Sequence, residues 1–217
     1  SGEMIGSFGL TEPDFGSNPG GMLTTARKEG DEYVLNGRKM WITNGGFADV
    51  MIVFAKIDDD KNLTAFIIDG DSEGITKNPE EKKMGIKGSS TRQVFFNDVV
   101  VPDGNQLSDR QNGFKIALNI LNVGRIKLAA ATLGAAKEVV TVSVKYANER
   151  NQFGRPISKY GAIKYKIGEM AMRTYALESA VYRISQNIQD RIHGLAAEGM
   201  DKSEATLKGI EEYAAEC

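Results

Sequence analysis

Three side chains are candidates for a specific chemical role because of their type and their position in the sequence. Arg125 lies inside a long apolar stretch, where burying an unpaired charge costs several kcal/mol, so it should have a partner. An ordinary buried ion pair is one interpretation. Arg150 follows the same stretch, where a cation could interact with the dipole of a helix end. Trp41, taken alone, is typical of a core aromatic on a strand. None of the three defines a reaction alone.

Composition excludes several classes of function. The 217 residues carry 27 Lys+Arg against 29 Asp+Glu, so bulk charge predicts neither a nucleic-acid groove nor a membrane surface, and a phosphate-bearing ligand must be held by a few placed groups. Cys217 is the only cysteine, which excludes an internal disulfide and a thiolate zinc site and favours a reducing compartment. His193 is expected in a surface or capping role, and the acidic run 58–60 in a solvated turn. No metal site is predicted.

The first half of the chain has the pattern of strands. Short β-prone runs separated by Gly, Asn and Asp predict a β domain over residues 1–104, a sandwich or barrel of short strands. The pair Asn36-Gly37 predicts a hairpin turn, because a type I′ turn needs positive φ at both central residues. The predicted strands are Met22–Arg27, Glu32–Leu35, Lys39–Thr43, Val50–Ile57, Leu63–Ile68 and Arg92–Val101.

The second half changes to a helical period. Residues 113–150 contain no Pro and predict a long, largely buried helix, and 163–188 repeat apolar residues in steps of three and four, typical of an antiparallel bundle. A polar loop at 194–203 then leads into a further helix. Residues 105–217 are therefore predicted to be a helical domain. Helical spacing continues to Cys217 and strand-like sequence begins at Ser1, so the chain is interpreted as a fragment. No apolar run of about 18 residues appears, so no membrane span is predicted.

Four segments resemble one family, the acyl-CoA dehydrogenases, in order and spacing. The resemblance identifies the chain as an internal fragment: the flavin-cradling middle β domain and the first helices of the C-terminal domain. The segment 118–125 is most similar to the very-long-chain branch, whereas 11–13 is also similar to the glutaryl-CoA branch, so the branch stays open. The four segments are Gly9–Ser17, Lys39–Gly45, Lys83–Thr91 with Phe96–Pro102, and Arg150–Gly154.

The resemblance implies FAD as the cofactor and assigns residues to it. Leu10 and Thr11 would present backbone N–H groups to the polar edge of the flavin ring, which stabilises the anionic reduced flavin. Trp41 would pack on the ring, and Thr43 would reach its reactive nitrogen. Ser17 would lie near the flavin pyrophosphate and the acyl-CoA. The full implied cofactor set is Phe8, Leu10, Thr11, Ser17, Trp41, Ile42, Thr43, Arg150, Gln152 and Phe153.

Two further assignments also follow from the resemblance. Asn122 and Arg125 would face the acyl-CoA cavity and bind substrate with Ser17. Arg150, Gln152 and Phe153 would reach across a subunit interface to the flavin of a neighbouring subunit, with Arg150 at the pyrophosphate.

The implied reaction is α,β-dehydrogenation of acyl-CoA thioesters, as in fatty acid β-oxidation. A carboxylate removes the α proton while hydride passes from the β carbon to the flavin. That base is usually the Glu of a Glu-Gly-Thr stretch, which is absent from these residues, and some branches place it immediately before the position of Arg125, where this chain has Gly124. No catalytic residue is therefore assigned, and the base is expected beyond Cys217.

The resemblance also implies partners and alternatives. The expected partners are acyl-CoA, an electron-transfer flavoprotein and further copies in a homodimer or homotetramer, without nucleic acid. The expected location is a bacterial cytoplasm, with the mitochondrial matrix as the alternative. An acyl-CoA oxidase and a noncatalytic assembly scaffold remain open, because both share these segments.

Overall fold

The computed structural model describes residues 2–213, which form two compact units divided between Leu118 and Asn119. The expectations for Ser1, Ala214 and Cys217 lie outside the described residues.

The first unit is built on one mixed sheet of eight strands. Six strands run in the order β6-β7-β3-β2-β4-β5, β8 pairs with β5 at one end, and β1 pairs with β4 in parallel. The strands are β1 Gly6–Gly9, β2 Thr25–Glu29, β3 Glu32–Thr43, β4 Val50–Ile57, β5 Thr64–Asp69, β6 Ile75–Lys77, β7 Thr91–Pro102 and β8 Gln106–Leu107.

Strand β4 is apolar on both faces and connects two cores. Met51, Val53 and Ala55 join a large cluster with buried residues of β2, β3, β5 and β7, so the two halves of the sheet enclose a shared core. The alternate residues Ile52 and Phe54 face a second cluster. A strand buried on both faces reads as a continuous apolar run, which is the pattern that predicted it. The expected β domain with a sandwich-like core is confirmed.

The predicted turn at Asn36-Gly37 is wrong. Both residues lie inside β3, and the chain reverses instead at Gly30-Asp31, since Glu29 pairs with Glu32. The pairing of β3 with β7 shifts register between Leu35 and Gly37, so this pair forms a β-bulge. Gly37 has φ of 154°, and a Cβ there would lie 2.5 Å from the Thr24 hydroxyl oxygen. Glycine is needed at position 37 because the segment of Thr24 passes close to the backbone. The sequence alone does not show whether a glycine serves such a close contact or a hairpin turn.

The first compact unit continues past the predicted boundary at residue 104. Strand β8 pairs with β5, and the Gly113 N–H donates to the Leu63 carbonyl at 2.7 Å. Ala117 is buried in the second cluster of this unit. The segment 105–118, including the first turn of the next helix, therefore packs with the strands.

The second unit consists of helices joined by short connections. Helix α1 spans Gly113–Glu149 and enters this unit at Asn119, a two-stranded hairpin of β9 Asn151–Gln152 and β10 Arg155–Pro156 follows, and α2 spans Gly161–Ala197. Helix α3 spans Lys202–Glu212 and is capped by Asp201, whose side chain accepts from the Ser203 N–H at 2.8 Å. Helix α2 thus extends into the predicted polar loop. The helical segment after the β domain is confirmed.

The expectation that α1 is largely buried is wrong for the described residues. Leu133 and Ala147 are buried, but Leu121, Leu128 and Val144 are exposed. By length and composition alone, α1 could cross a membrane, since an 18-residue stretch of it has a mean hydropathy of 1.3, although core helices of globular proteins meet the same criteria. The expectation of no membrane span therefore stays a prediction.

Helices α2 and α3 pack closely at a glycine. Gly209 of α3 is buried, and a Cβ there would lie 2.7 Å from a side-chain carbon of Ile192. Arg191 of α2 donates twice to the carboxylate of Glu212 on α3. Lys137 of α1 also forms an ion pair with Glu178 of α2.

The bulge at Gly37 gives the first prediction. Gly37→Ala places a methyl group against Thr24, whereas Gly30→Ala, also at positive φ, meets no atom within 4 Å. We expect Gly37→Ala to lower the free energy of unfolding by about 1–3 kcal/mol more than Gly30→Ala, the usual cost of overpacking. Urea denaturation of the two variants measures the difference. Equal losses would mean that backbone strain, not the contact with Thr24, fixes glycine at position 37.

Candidate functional site

The segment after β1 brings several of the predicted cofactor residues onto the sheet. Phe8 is half-buried and packs edge to face on Phe54, with ring centroids 5.1 Å apart. Leu10 is buried in the second cluster, and Thr11 is half-buried. The Thr11 carbonyl accepts from the Met40 N–H at 2.9 Å, but among residues 2–213 the backbone N–H groups of Leu10 and Thr11 have no hydrogen-bond acceptor. Two adjacent donors are therefore available to a ligand.

A buried ion pair anchors this segment to β3. The Lys39 ammonium lies 2.9 Å from Glu12 Oε1 and also donates to the Leu10 carbonyl at 3.3 Å. Glu12 accepts further hydrogen bonds from the Leu23 N–H at 2.7 Å and the Thr24 N–H at 3.0 Å. Both side chains are almost fully buried. Removing one partner of such a pair typically costs about 3–5 kcal/mol, because the other charge is left buried alone.

Both groups of the pair have pKa values below their ordinary values, for different reasons. Burial lowers the pKa of Lys39 to about 8, although the neighbouring carboxylate opposes the shift. Burial acts to raise the pKa of Glu12, but the Lys39 charge and the donors around the carboxylate outweigh it and hold that pKa below its ordinary value. At neutral pH the pair is thus mostly ionised.

Trp41 occupies a second bulge of β3. The register with β7 shifts between Lys39 and Ile42, and Trp41 has φ of 62°, a conformation that is costly for a bulky residue. Its side chain is 56% exposed, while the neighbouring Ile42 is buried and Thr43 is exposed. The interpretation of Trp41 as a core aromatic is therefore wrong. The bulge turns a large flat side chain outward beside the Leu10–Thr11 segment.

The turn after Trp41 ties the two segments together again. The side-chain amide of Asn44 donates to the Gly6 carbonyl at 3.1 Å, and the Asn44 N–H donates to the Ser90 carbonyl at 3.1 Å. Since Met40 also bonds Thr11, contacts on both sides of Trp41 hold β3 to the β1 segment. Because Ser90 belongs to the Lys83–Thr91 segment, the structure thus brings together three of the four segments from which the family resemblance was drawn.

Ser17 stands apart from this cluster. It is exposed, and its hydroxyl makes no hydrogen bond within the part of the chain that the structure describes. Glu12 and Phe15 bond each other's backbones at the start of the same loop. The proposed contacts of Ser17 with cofactor and substrate remain predictions.

In the second unit, the hairpin after α1 presents an aromatic side chain at its tip. Phe153 and Gly154 form the two-residue loop between Gln152 and Arg155, with φ of 50° and 78°. Both values are positive, as in a type I′ turn, which rarely accepts a phenylalanine. Tyr160 braces the hairpin by donating to the Gln152 carbonyl at 2.8 Å. Phe153 is 93% exposed.

The other predicted residues of this unit lie on α1 and at its end. Arg125 is exposed and donates to the Asn122 side-chain oxygen at 2.9 Å, while Asn122 is buried. Arg125 makes no ion pair within residues 2–213, so the interpretation as a buried ion pair is wrong. Arg150 is also exposed, and its side chain has no carboxylate partner among the described residues.

Features outside these segments offer weaker candidates for a functional site. A surface groove of about 670 Å³ is lined by Phe47 and by residues 80–83 and 87–90, and it includes none of the predicted cofactor residues. His193 is exposed beside Gln189, as expected for a surface role. The described residues contain no cluster of His, Cys, Asp or Glu suited to a metal.

Sequence reasoning missed Glu12 and Lys39, because only the fold shows that two motif residues far apart in sequence meet.

Two family models match the chain in order. "Acyl-CoA dehydrogenase, middle domain" matches residues 7–99, and "Acyl-CoA dehydrogenase, C-terminal domain" matches residues 111–206.

Individual relatives agree with these matches. A probable acyl-CoA dehydrogenase of Bacillus subtilis is 48% identical over 100% of this chain and 37% of its own length. The human mitochondrial very long-chain specific acyl-CoA dehydrogenase is 43% identical over 87% of this chain and 30% of its own. The crystal structure of acyl-CoA dehydrogenase complexed with FAD from Bacillus anthracis superposes with a TM-score of 0.90 at 48% identity, covering 97% of this chain and 37% of that one.

The chain spans less than half the length of each of these relatives. Its two matched regions correspond to the β unit and to the helical segment, in the same order as the family models. The chain therefore belongs to the acyl-CoA dehydrogenase family.

Proposed function

We propose that this chain forms the flavin-binding part of an FAD-dependent acyl-CoA dehydrogenase, which catalyses α,β-dehydrogenation of acyl-CoA thioesters. The observation that carries the proposal is Trp41, held outward on a strained bulge beside the free N–H groups of Leu10 and Thr11. Strain in a bulky residue is retained where its surroundings impose it, which is common at ligand sites.

The chemistry of these residues fits a flavin. A flavin ring has two flat apolar faces and a polar edge, so its site needs a large side chain against one face and donors along the edge. Trp41 supplies the face, and Leu10 and Thr11 supply adjacent donors. Phe8, Ile42 and Thr43 complete the proposed ring site. Ser17, Arg150, Gln152 and Phe153 would hold the remainder of the cofactor, the last three in a neighbouring subunit.

When bound, FAD supplies the acceptor for the hydride that leaves the substrate's β carbon. The residues of this chain would bind and orient: Trp41 fixes the ring, and Ser17, Asn122 and Arg125 contact the acyl-CoA. Asn122 already accepts from Arg125, which limits where that guanidinium can point. None of these residues is a carboxylate placed to remove a proton. The base is still expected beyond Cys217.

The partners and the location belong to the same proposal. Acyl-CoA is the substrate, an electron-transfer flavoprotein receives the electrons, and the protein works as a homodimer or homotetramer without nucleic acid. Named relatives come from Bacillus subtilis and from human mitochondria, so a bacterial cytoplasm is proposed, with the mitochondrial matrix as the alternative. The very-long-chain branch is the proposed branch.

The activity is tested with the full-length protein, loaded with FAD and mixed anaerobically with acyl-CoA thioesters of increasing chain length. Bleaching of the oxidised flavin band with at least one chain length is expected, and the chain length that bleaches fastest identifies the branch. Rapid reoxidation by air with production of hydrogen peroxide would indicate an oxidase instead. Tight FAD binding without bleaching by any thioester would indicate the noncatalytic scaffold.

Trp41 gives a prediction specific to the ring site. An aromatic side chain buries about 150–250 Å², so at about 25 cal/mol per Å² its removal costs several kcal/mol of flavin binding at most. Trp41→Ala should purify with less flavin, measured as the ratio of flavin to protein absorbance, and Trp41→Phe should keep most of it. Phe47→Ala removes another exposed aromatic and serves as the control. Equal flavin content in Trp41→Ala and Phe47→Ala would refute the ring contact.

Arg150 gives a prediction about the neighbouring subunit. A charge-assisted hydrogen bond is worth about 1.5–3 kcal/mol, so Arg150→Ala should weaken FAD affinity roughly tenfold to a hundredfold. Titration of apoprotein with FAD measures this. Arg173→Ala, which removes an exposed arginine paired with Glu169, is the control and should leave affinity unchanged. In mixed dimers, recovery should depend on an intact arginine in the opposite subunit, and recovery from the same subunit would contradict the assignment.

A further inference from the structure

Lys39 connects the two segments of the proposed ring site, which are β3 and the Leu10–Thr11 segment after β1. It immediately precedes Met40, whose N–H bonds the Thr11 carbonyl, and its ammonium donates to the Leu10 carbonyl at 3.3 Å. The Leu10 carbonyl and the Thr11 N–H belong to the same peptide group. The charge therefore acts at one end of an amide whose other end is a free donor of the proposed site.

An ammonium at a carbonyl oxygen strengthens the donor on the other side of the amide. Withdrawal of electron density toward the oxygen increases the positive character of the N–H, an effect that is larger where the surroundings are poorly polarisable. Lys39 is fully buried and lies beside Met22 Sδ at 3.3 Å, so water does not screen this interaction. The peptide is thus polarised before any ligand arrives.

We propose that Lys39 is a positioning residue that polarises the Leu10–Thr11 peptide, so that the Thr11 N–H favours reduced over oxidised flavin, and that Glu12 keeps Lys39 charged and in place. This inference rests on the proposed function, because it assumes that the Thr11 N–H meets the flavin. Lys39 and Glu12 would act on the flavin through the Thr11 N–H.

The surroundings of Glu12 support a role in holding the charge. Its carboxylate takes donors from Lys39, from two backbone N–H groups and from the Thr24 hydroxyl, so it is fixed on every side. A well-packed pair of apolar side chains would fill the same volume without the cost of desolvating two charges. Burial lowers the pKa of Lys39 only to about 8, so the amine stays mostly protonated at neutral pH while Glu12 is ionised.

The test compares Lys39→Met, Glu12→Gln and a control in the FAD-loaded full-length protein. Lys39→Met keeps the length of the side chain and removes the charge. Glu12→Gln keeps the volume and an acceptor oxygen, but without the carboxylate the buried Lys39 should lose its proton. Lys56→Met is the control, since the Lys56 side chain is half-buried on β4 and makes no hydrogen bond within the described residues. The readouts are the flavin midpoint potential by spectroelectrochemistry and the dissociation constant of oxidised FAD.

Lys39→Met and Glu12→Gln should each lower the preference for reduced over oxidised flavin by about tenfold, the worth of one charge-assisted hydrogen bond. Tenfold corresponds to about 30 mV for a two-electron couple. Lys56→Met should retain the wild-type potential. If Lys39→Met does not fold, Glu12→Gln carries the test.

The outcomes separate this inference from the proposed function. If the wild-type protein does not bind FAD, the proposed function fails. If it binds FAD and the potential of either folded variant equals that of wild type, Lys39 does not polarise the donor, and the inference is overturned while the proposed function stands. An equal fall in Lys56→Met also overturns it, because a general loss of positive charge would then explain the shift.

Discussion

The contact between Lys39 and Glu12 is the interaction on which the site depends. It joins β3 to the segment after β1 at a point where neither has regular sheet pairing with the other. One residue further along, Met40 bonds Thr11, and one further still, Trp41 turns outward. Because the three are consecutive, a small shift at the ion pair would move the donor edge and the aromatic face relative to each other.

Bulges in β3 explain how a strand inside a sheet can present such a site. A regular strand alternates its side chains between two faces, so Trp41 and Lys39 would share one face and Ile42 the other. The register shift between Lys39 and Ile42 breaks this alternation: Lys39 and Ile42 are both buried, and Trp41 is exposed. The earlier shift at Gly37 lets β3 pass close to Thr24, a partner of Glu12. The two irregular positions of β3 thus both lie next to Glu12 or to one of its partners.

The sequence predicted regular elements better than irregular ones. Val50–Ile57 and the helix from Gly113 follow from hydrophobic periodicity, because the type of element that an apolar segment forms depends mainly on local pattern. Asn36-Gly37 satisfies the requirements of a hairpin turn and of a bulge equally well, and only the partner strand decides between them. The exposure of Trp41 and the meeting of Glu12 with Lys39 depend on contacts between distant segments. The resemblance named the motifs that contain these residues, but not the ion pair that joins them.

The desolvation cost of the Lys39–Glu12 pair raises the question of why a buried ion pair is found beside the Leu10 carbonyl. Transferring two charges out of water is only partly repaid by their mutual attraction, so a buried ion pair is weak evidence for stability. Among the described residues, the large hydrophobic cluster beside it contains no ion pair. The described buried charges are instead concentrated where a carbonyl must be held and a neighbouring N–H left free. A leucine at position 39 could fill the space but could not donate to the Leu10 carbonyl, so packing alone does not account for lysine there.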